Sequence, residues 1–426
     1  MKLNQRYLSR KKIQKIRKNV FPLFAYLCAF SLALSPIFTS LSLLLFVLVA
    51  LMNIHKIDLK KKEFLSIGCF SFLFILYVFG LFTTDFLPRA IELIIRISPI
   101  FFIPLLIVLT QAYNKINYTK FRLSFCIGIF ISCLISFGYG FVRYILYDDI
   151  KYLFYFEFTS LFDLHPTYYA LYIITAMWFV NESSVKVQFK IIGYSVYFCC
   201  LVFLQSKIGI VLFILLLLYT ILNSDNKGKI VWFVFGFSSI CILMAFTFIN
   251  KESRINELFK TRNSLDVGTN NEDGISQRFW LWNTAISQLN ERPLTGFGLG
   301  AKEKLFSWKV QKDILESNYG YAHKKALKSI SNLNLHNNYI QLAYEFGAVG
   351  LILYLISIIY IVKIARTSNN VCFLVIYTFF LIVLFVEVAL NRQMGIYFFA
   401  YILGILFFEP RKNTNKDENE VCILTS

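Results

Sequence analysis

Charge is scarce in this chain. Asp, Glu, Lys and Arg make up only 16% of its 426 residues, against 57% hydrophobic and 18% aromatic, too little polar surface to clothe a soluble fold of this length. Metal and disulfide patterns are missing too. Nine cysteines occur, but none in C-x-x-C spacing. Cys28, Cys69, Cys126, Cys133, Cys199, Cys200, Cys241 and Cys372 lie in or beside apolar runs, which excludes a disulfide framework and the common zinc arrangements. Histidine is rare: His55, His165, His323 and His336 are the four.

Long apolar runs are abundant. They predict an all-α polytopic membrane protein with about twelve transmembrane helices. The expected spans are 20–35, 37–54, 64–82, 91–110, 121–145, 166–180, 189–204, 208–222, 230–249, 338–362, 371–388 and 394–408. The basic stretch before the first run suggests a signal peptide, but no small-x-small cleavage site follows, and an uncleaved first helix is expected. The net charge of +18 is not a nucleic-acid signature, because much of the excess lies in tails and short loops. An even number of spans puts both termini on one side. That side carries 24 Lys and Arg, against six on the opposite side outside the long loop. The positive-inside rule then makes both termini cytoplasmic.

The chain divides into a membrane bundle of about nine helices over 1–249, an outward-facing loop over 250–337 carrying short helices, three membrane helices over 338–408 and a cytoplasmic tail over 409–426. The loop is 88 residues long with 13 basic and nine acidic residues, so it is only mildly basic. Asn263 to Gly274 is turn-forming. In Gln277 to Pro293, Phe279, Trp282, Ile286 and Leu289 share one helical face, which predicts a short amphipathic helix on the membrane, with Trp280 and Trp282 in the headgroup zone. Gly296-x-Gly298-x-Gly300 follows no strand, so it is no dinucleotide fingerprint; a tight, backbone-exposed turn is expected.

QRFWLWNTAI, PLTGFGLGA and HNNYIQLAYEFGAVG together resemble the O-antigen ligase and polymerase superfamily of bacterial envelope glycosyltransferases. HPTYYALY (His165 to Tyr172) and QSKIGI (Gln205 to Ile210) are weaker matches. The likeness is best from about residue 160 to 360. The resemblance implies a lipid-linked glycosyltransferase in the bacterial inner membrane. It would move a glycan from a polyprenyl (undecaprenyl) diphosphate carrier to an acceptor hydroxyl, on lipid A core or similar, at the periplasmic face. The implied reaction is inverting and needs no cofactor and no metal; the absence of a D-x-D motif agrees. A polymerase extending the lipid-linked chain is the alternative. A lipid-linked sugar transporter is a second, disfavoured by the absence of a visible inverted repeat. Partners would be the lipid-linked donor, a glycolipid or glycan acceptor and membrane lipid, with no nucleic acid.

The residue chemistry points to candidates, each with a plainer alternative. His336 stands at the outer start of span ten, where the helix dipole disfavours the imidazolium and favours a diphosphate. It suits a general base, or it merely begins a helix capped by Asn337 or Asn338. Arg278 offers a planar fork for phosphate oxygens, or it snorkels at an interfacial helix. Lys207 sits at the outward turn between spans seven and eight and keeps a charge where the family often has arginine. Arg89, Glu92 and Arg96 share a helix face; they hold the diphosphate or form an ion-pair ladder. His165 lines an acceptor site, or Pro166 only starts a helix. Glu345, inside span ten, reads as a partnered structural carboxylate, and Gly347 and Gly350 as a close helix-packing surface.

Overall fold

The computed structural model describes residues 20–54, 59–223, 236, 274–317 and 321–410, and every regular element among them is helical. Apart from Gly236 and Gly274, the expected span 230–249 and the turn-forming stretch Asn263 to Gly274 lie outside the described residues.

Helices α1 (Val20–Ser31) and α2 (Pro36–Leu51) form an apolar hairpin. Ser35 caps α2 by accepting from the N–H of Ile37, and Pro36 occupies the first turn, where its missing N–H costs nothing. The expected span 64–82 is two helices, α3 (Lys61–Phe70) and α4 (Phe72–Gly80), bent by 67°. At the break the Ser71 hydroxyl donates to the Ile100 carbonyl at 2.9 Å, tying the bend to α5 (Leu87–Leu109). Pro88 in its first turn starts α5 earlier than expected, so Arg89, Glu92 and Arg96 all lie on it.

Helices α6 (Tyr118–Tyr147), α7 (Pro166–Glu182), α8 (Val187–Leu204) and α9 (Lys207–Asn223) follow the expected spans closely. α7 is the hub, with α6, α8 and α9 around it. All its residues from Pro166 to Phe179 are buried, as suits a helix apolar on every side. His165 therefore stands at the tip of a firmly held element.

Helices α10 (Gly274–Leu289), α11 (Ser307–Glu316) and α12 (Tyr321–Ser331) have a small core of their own, including Leu281, Ala285, Phe297, Phe306, Val310 and Leu327. α10 differs from its expected orientation. Leu281, Ala285 and Gln288 face the protein, while Phe279 and Ile286 from the expected apolar face are each 51% exposed. That outward face still suits a membrane surface. His323 falls on α12.

Helix α13 (Asn338–Thr367) is broken at Gly347, where φ is 66° and ψ −169°. Segment Pro293–Gly298 fills the gap. The N–H groups of Phe297 and Gly298 donate to the carbonyls of Tyr344 and Glu345, both at 2.9 Å. In return Ala348 and Val349 donate to Pro293 and Leu294 at 2.8 and 3.2 Å. Backbone groups freed by a break in an apolar span must find partners, and the loop supplies them. The glycine turn is accordingly buried from Gly296 to Gly300, not backbone-exposed as expected. All three of its glycines have positive φ, which glycine adopts without strain.

Helix α14 (Val371–Val383) ends short of the expected residue 388, because the Leu384 carbonyl accepts from the Asn338 N–H at 2.8 Å instead of extending the helix. Glu387 therefore lies in a connection, not in a span. α15 (Gln393–Phe407) completes the bundle and contains a widened π-helical stretch at Phe398–Leu403. Among the described residues four helices, α5, α6, α8 and α13, are long and apolar enough to cross a membrane, and the bent α3–α4 pair makes a fifth. Over its described residues the protein is an all-helical membrane protein.

Candidate active site

Asn337 caps α13: its side chain accepts from the N–H groups of Tyr339 and Ile340 at 2.9 and 3.0 Å. The cap is thus Asn337, as the plainer reading of His336 expected, and His336 stands one residue before it. Its backbone is left-handed, with φ 47°, a conformation costing a non-glycine residue about 1 kcal/mol. Asn334 steadies it by accepting the His336 N–H at 3.0 Å.

The ring is held by a residue that sequence reasoning missed. His336 Nδ1 lies 3.2 Å from Glu387 Oε2. Glu387 is 2% exposed, and its other oxygen accepts the Val388 N–H at 3.3 Å. Burial pushes its carboxyl up, but the His336 hydrogen bond and the charges of His336, His165 and Arg278 outweigh burial and hold it down at about 2. Ionised, Glu387 can only accept. Nδ1 must then carry a proton, and Nε2 is the ring nitrogen that Glu387 does not engage.

Arg278 reaches the same place through α10. Trp282, four residues on and on the same side of the helix, donates its indole N–H to the Leu335 carbonyl at 2.6 Å. Leu335 directly precedes His336. Further along, Gln288 accepts the Tyr344 hydroxyl at 2.9 Å. Two bonds thus lock α10 to the start of α13. Arg278 is half-buried, no ion pair holds it among the described residues, and its charge acts on both Glu387 and His165. The structure therefore gathers His336, Arg278 and His165.

His165 caps α7 with its own ring: Nδ1 accepts the Thr167 N–H at 3.3 Å. Phe156 and Tyr168 wedge the ring, with centroids 5.0 and 5.7 Å away. Burial lowers its basicity most; Glu387 opposes that, while His336, Arg392 and Arg278 reinforce it, leaving a value of about 4. Arg392, exposed and beyond the Glu387 connection, is a second cation that sequence reasoning did not select. A lone carboxylate and a lone arginine in VEVALNRQ were the available signals.

The remaining candidates divide. Arg89 is bound by Glu92 at 2.6 Å and Glu303 at 3.1 Å, so carboxylates already match its charge and the ion-pair arrangement is present. Arg96 leaves that ladder and donates to the Asn391 carbonyl at 3.4 Å, beside Arg392. Lys207 is the first residue of α9, just after the left-handed Gln205. Glu345 is fully buried and accepts from Gln341 Nε2 at 3.5 Å. No cluster of three or more metal-ligating side chains occurs among the described residues.

Set in this order, the centre offers an imidazole steadied by a carboxylate, at least two guanidinium groups and a second imidazole around the N-terminal end of α13. No curated protein matches the chain. Residues 192–355 match the family model described as O-Antigen ligase. The matched stretch includes Lys207, Arg278 and His336; His165, Glu387 and Arg392 come from outside it and complete the same centre. An O-antigen ligase domain supports an activity of the ligase or polymerase type. The likeness to the O-antigen ligase family thus takes in the pair Arg278 and His336.

Proposed function

We propose that this protein transfers a glycan from a polyprenyl diphosphate carrier to an acceptor hydroxyl at the outer face of the inner membrane. The observation that carries the reading is the His336–Glu387 pair with Arg278 beside it. His336 Nε2 takes the proton of the acceptor hydroxyl as its oxygen attacks the anomeric carbon. The bond from that carbon to the diphosphate oxygen breaks, and its electron pair leaves with the polyprenyl diphosphate. Attack opposite the leaving group inverts the configuration. Arg278 matches the charge gathering on the phosphate oxygens, with Arg392, Arg96 and Lys207 as further cations around the carrier. Arg89, held between Glu92 and Glu303, is structural in this scheme. Glu387 fixes the tautomer and direction of the base, as outer carboxylates do for ligating and catalytic imidazoles.

The topology that serves this chemistry has twelve spans, both termini in the cytoplasm and residues 250–337 on the periplasmic side. The bundle 1–249 and the helices 338–408 flank the loop that bears the motifs. The ligase reading, with lipid A core or a similar acceptor, stands ahead of polymerase; a transporter lacks the need for a base and free guanidinium groups at one rim.

Deleting the gene and resolving the glycolipids on a gel tests the reading. Ligase loss leaves bare core while long carrier-linked polymer accumulates. Polymerase loss leaves core bearing a single repeat unit. An unchanged ladder defeats both.

A further inference from the structure

We propose that His165 acts as a hydrogen-bond donor, presenting Nε2–H to an oxygen of the lipid diphosphate, in the opposite tautomer from His336. The inference deepens the transfer reading and rests on it for the identity of the ligand.

The tautomer follows from the cap. His165 Nδ1 accepts the Thr167 N–H, and a ring nitrogen that accepts carries no proton. The single proton of the neutral ring is therefore on Nε2. Protonating Nδ1 would break the cap and set two donors against each other at a helix N-terminus, where the dipole also opposes a cation. Phe156 and Tyr168 leave the ring little room to turn away. The charged groups around it are Glu387, which favours a cation, and His336, Arg392 and Arg278, which oppose one. Burial adds to the opposition and outweighs Glu387. His336 has the reverse pattern, with its proton on Nδ1 facing Glu387.

Tyr168, one turn into α7, is buried with its hydroxyl unpartnered among the described residues, within the field of Glu387 and Arg392. The polar groups that act on one another here are thus mostly donors: His165 Nε2–H, the Tyr168 hydroxyl, and the Arg278 and Arg392 guanidinium groups. The carboxylate among them, Glu387, is already engaged by His336 and the Val388 N–H. A sugar acceptor brings hydroxyls that donate as well as accept and does not call for such a set. A diphosphate brings acceptors only and does. A neutral donor also stabilises the leaving oxygen without changing its own protonation as pH varies.

Ring nitrogen-15 spectra of the full-length protein in nanodiscs, labelled at histidine, test this directly. The chain has four histidines, and His165→Asn identifies the ring in question. The expected spectrum is a neutral Nε2–H ring that stays unchanged from about pH 8 down to about pH 5. Farnesyl diphosphate should shift that Nε2–H resonance, and farnesol should not. A ring titrating near its ordinary value, an Nδ1–H tautomer, or equal responses to farnesyl diphosphate and farnesol would overturn the inference. These readouts need no turnover, so they separate failure here from failure of the transfer reading, which is judged by the glycolipid ladder.

Two substitutions extend the test to the reaction. Asn and Asp are both strong N-caps, but only Asn retains a donor. His165→Asn should keep transfer within about tenfold of the wild type, while His165→Asp should lose about a hundredfold or more. Equal rates in the two variants, with both inserted at normal levels, would refute the donor role.

Discussion

The backbone N–H of Asn338 donates to the carbonyl of Leu384 at 2.8 Å, and this bond joins the start of one membrane helix to the end of another. His336 lies two residues before the donor and Glu387 three residues after the acceptor. Their side chains consequently meet at 3.2 Å. The Tyr339 hydroxyl, donating to the Leu381 carbonyl at 3.1 Å, fastens the same junction one turn deeper.

Glu387→Gln should lower transfer about 10- to 100-fold while the protein still inserts. The amide keeps the shape of the carboxylate but removes the charge that holds the proton on Nδ1. Initial rates with a lipid-linked donor, together with the ring spectrum of His336, give the measurement. A wild-type rate in this variant would show that His336 needs no partner.

Arg278 and His336 differ in what a conservative change can rescue. His336→Ala and Arg278→Ala should each abolish transfer. Arg278→Lys should recover a detectable fraction, because it restores a positive charge without the two-pronged geometry. Radiolabelled glycan passing from carrier to acceptor is the readout, with membrane fractionation confirming insertion. Normal transfer in either alanine variant would remove that residue from the mechanism.

Acid should weaken the fold in two stages, both with the same sign. His165 sits near 4 against an ordinary 6.5, so the unfolded chain takes up its proton first and stability falls as pH drops from 6.5 toward 4. Glu387 sits near 2 against an ordinary 4.5. Its contribution is complete above 4.5 and is lost as pH falls from there toward 2. Thermal unfolding in detergent, followed against pH, should be flat with respect to both groups above 6.5. His165→Asn should flatten the first stage and shrink the second only in part, because the His336 hydrogen bond still holds Glu387 down. A first stage of the same size in that variant would assign it to other groups.

The parts of the centre that were legible in the sequence are those held in short local patterns. Arg278, with Trp282 one turn on, and His336, beside its capping Asn337, carry their context with them. Glu387 does not: it interrupts an apolar run that hydropathy reads as continuing to residue 388, and only the bond from Asn338 to Leu384 shows that the helix has already stopped. The breaks at Ser71 and Gly347 were hidden for a related reason. Apolar residues flank both, and what stabilises each break is remote in sequence, the Ile100 carbonyl in one case and segment Pro293–Gly298 in the other. Gly347 and Gly350 suggested helix packing, whereas Gly347 admits a loop. Arg89 and Glu92 were correctly seen as neighbours, but Glu303, which completes their cluster, lies 214 residues from Arg89.

That loop insertion supplies the sharpest structural prediction. A Cβ added at Gly347 would stand 2.2 Å from the Leu294 carbonyl oxygen, and one at Gly296 would stand 2.5 Å from the Gly347 nitrogen. Both obstacles are backbone, and both glycines have positive φ, 66° and 68°. Neither site can adapt by turning a flexible side chain aside. Gly347→Ala and Gly296→Ala should each expel Pro293–Gly298 from the break, and with it the support that α10 draws from α13. Transfer should fall at least as far as in Glu387→Gln, although no group that touches substrate has changed. By contrast, Gly68→Ala, where nothing lies within 4 Å of the added carbon, should leave transfer unchanged. Protease protection of residues 290–300 in reconstituted membranes separates expulsion from general unfolding: the segment should become cleavable in the two damaging variants while α6 to α9 remain resistant. Full protection with normal transfer in Gly347→Ala would mean that the break does not hold the loop.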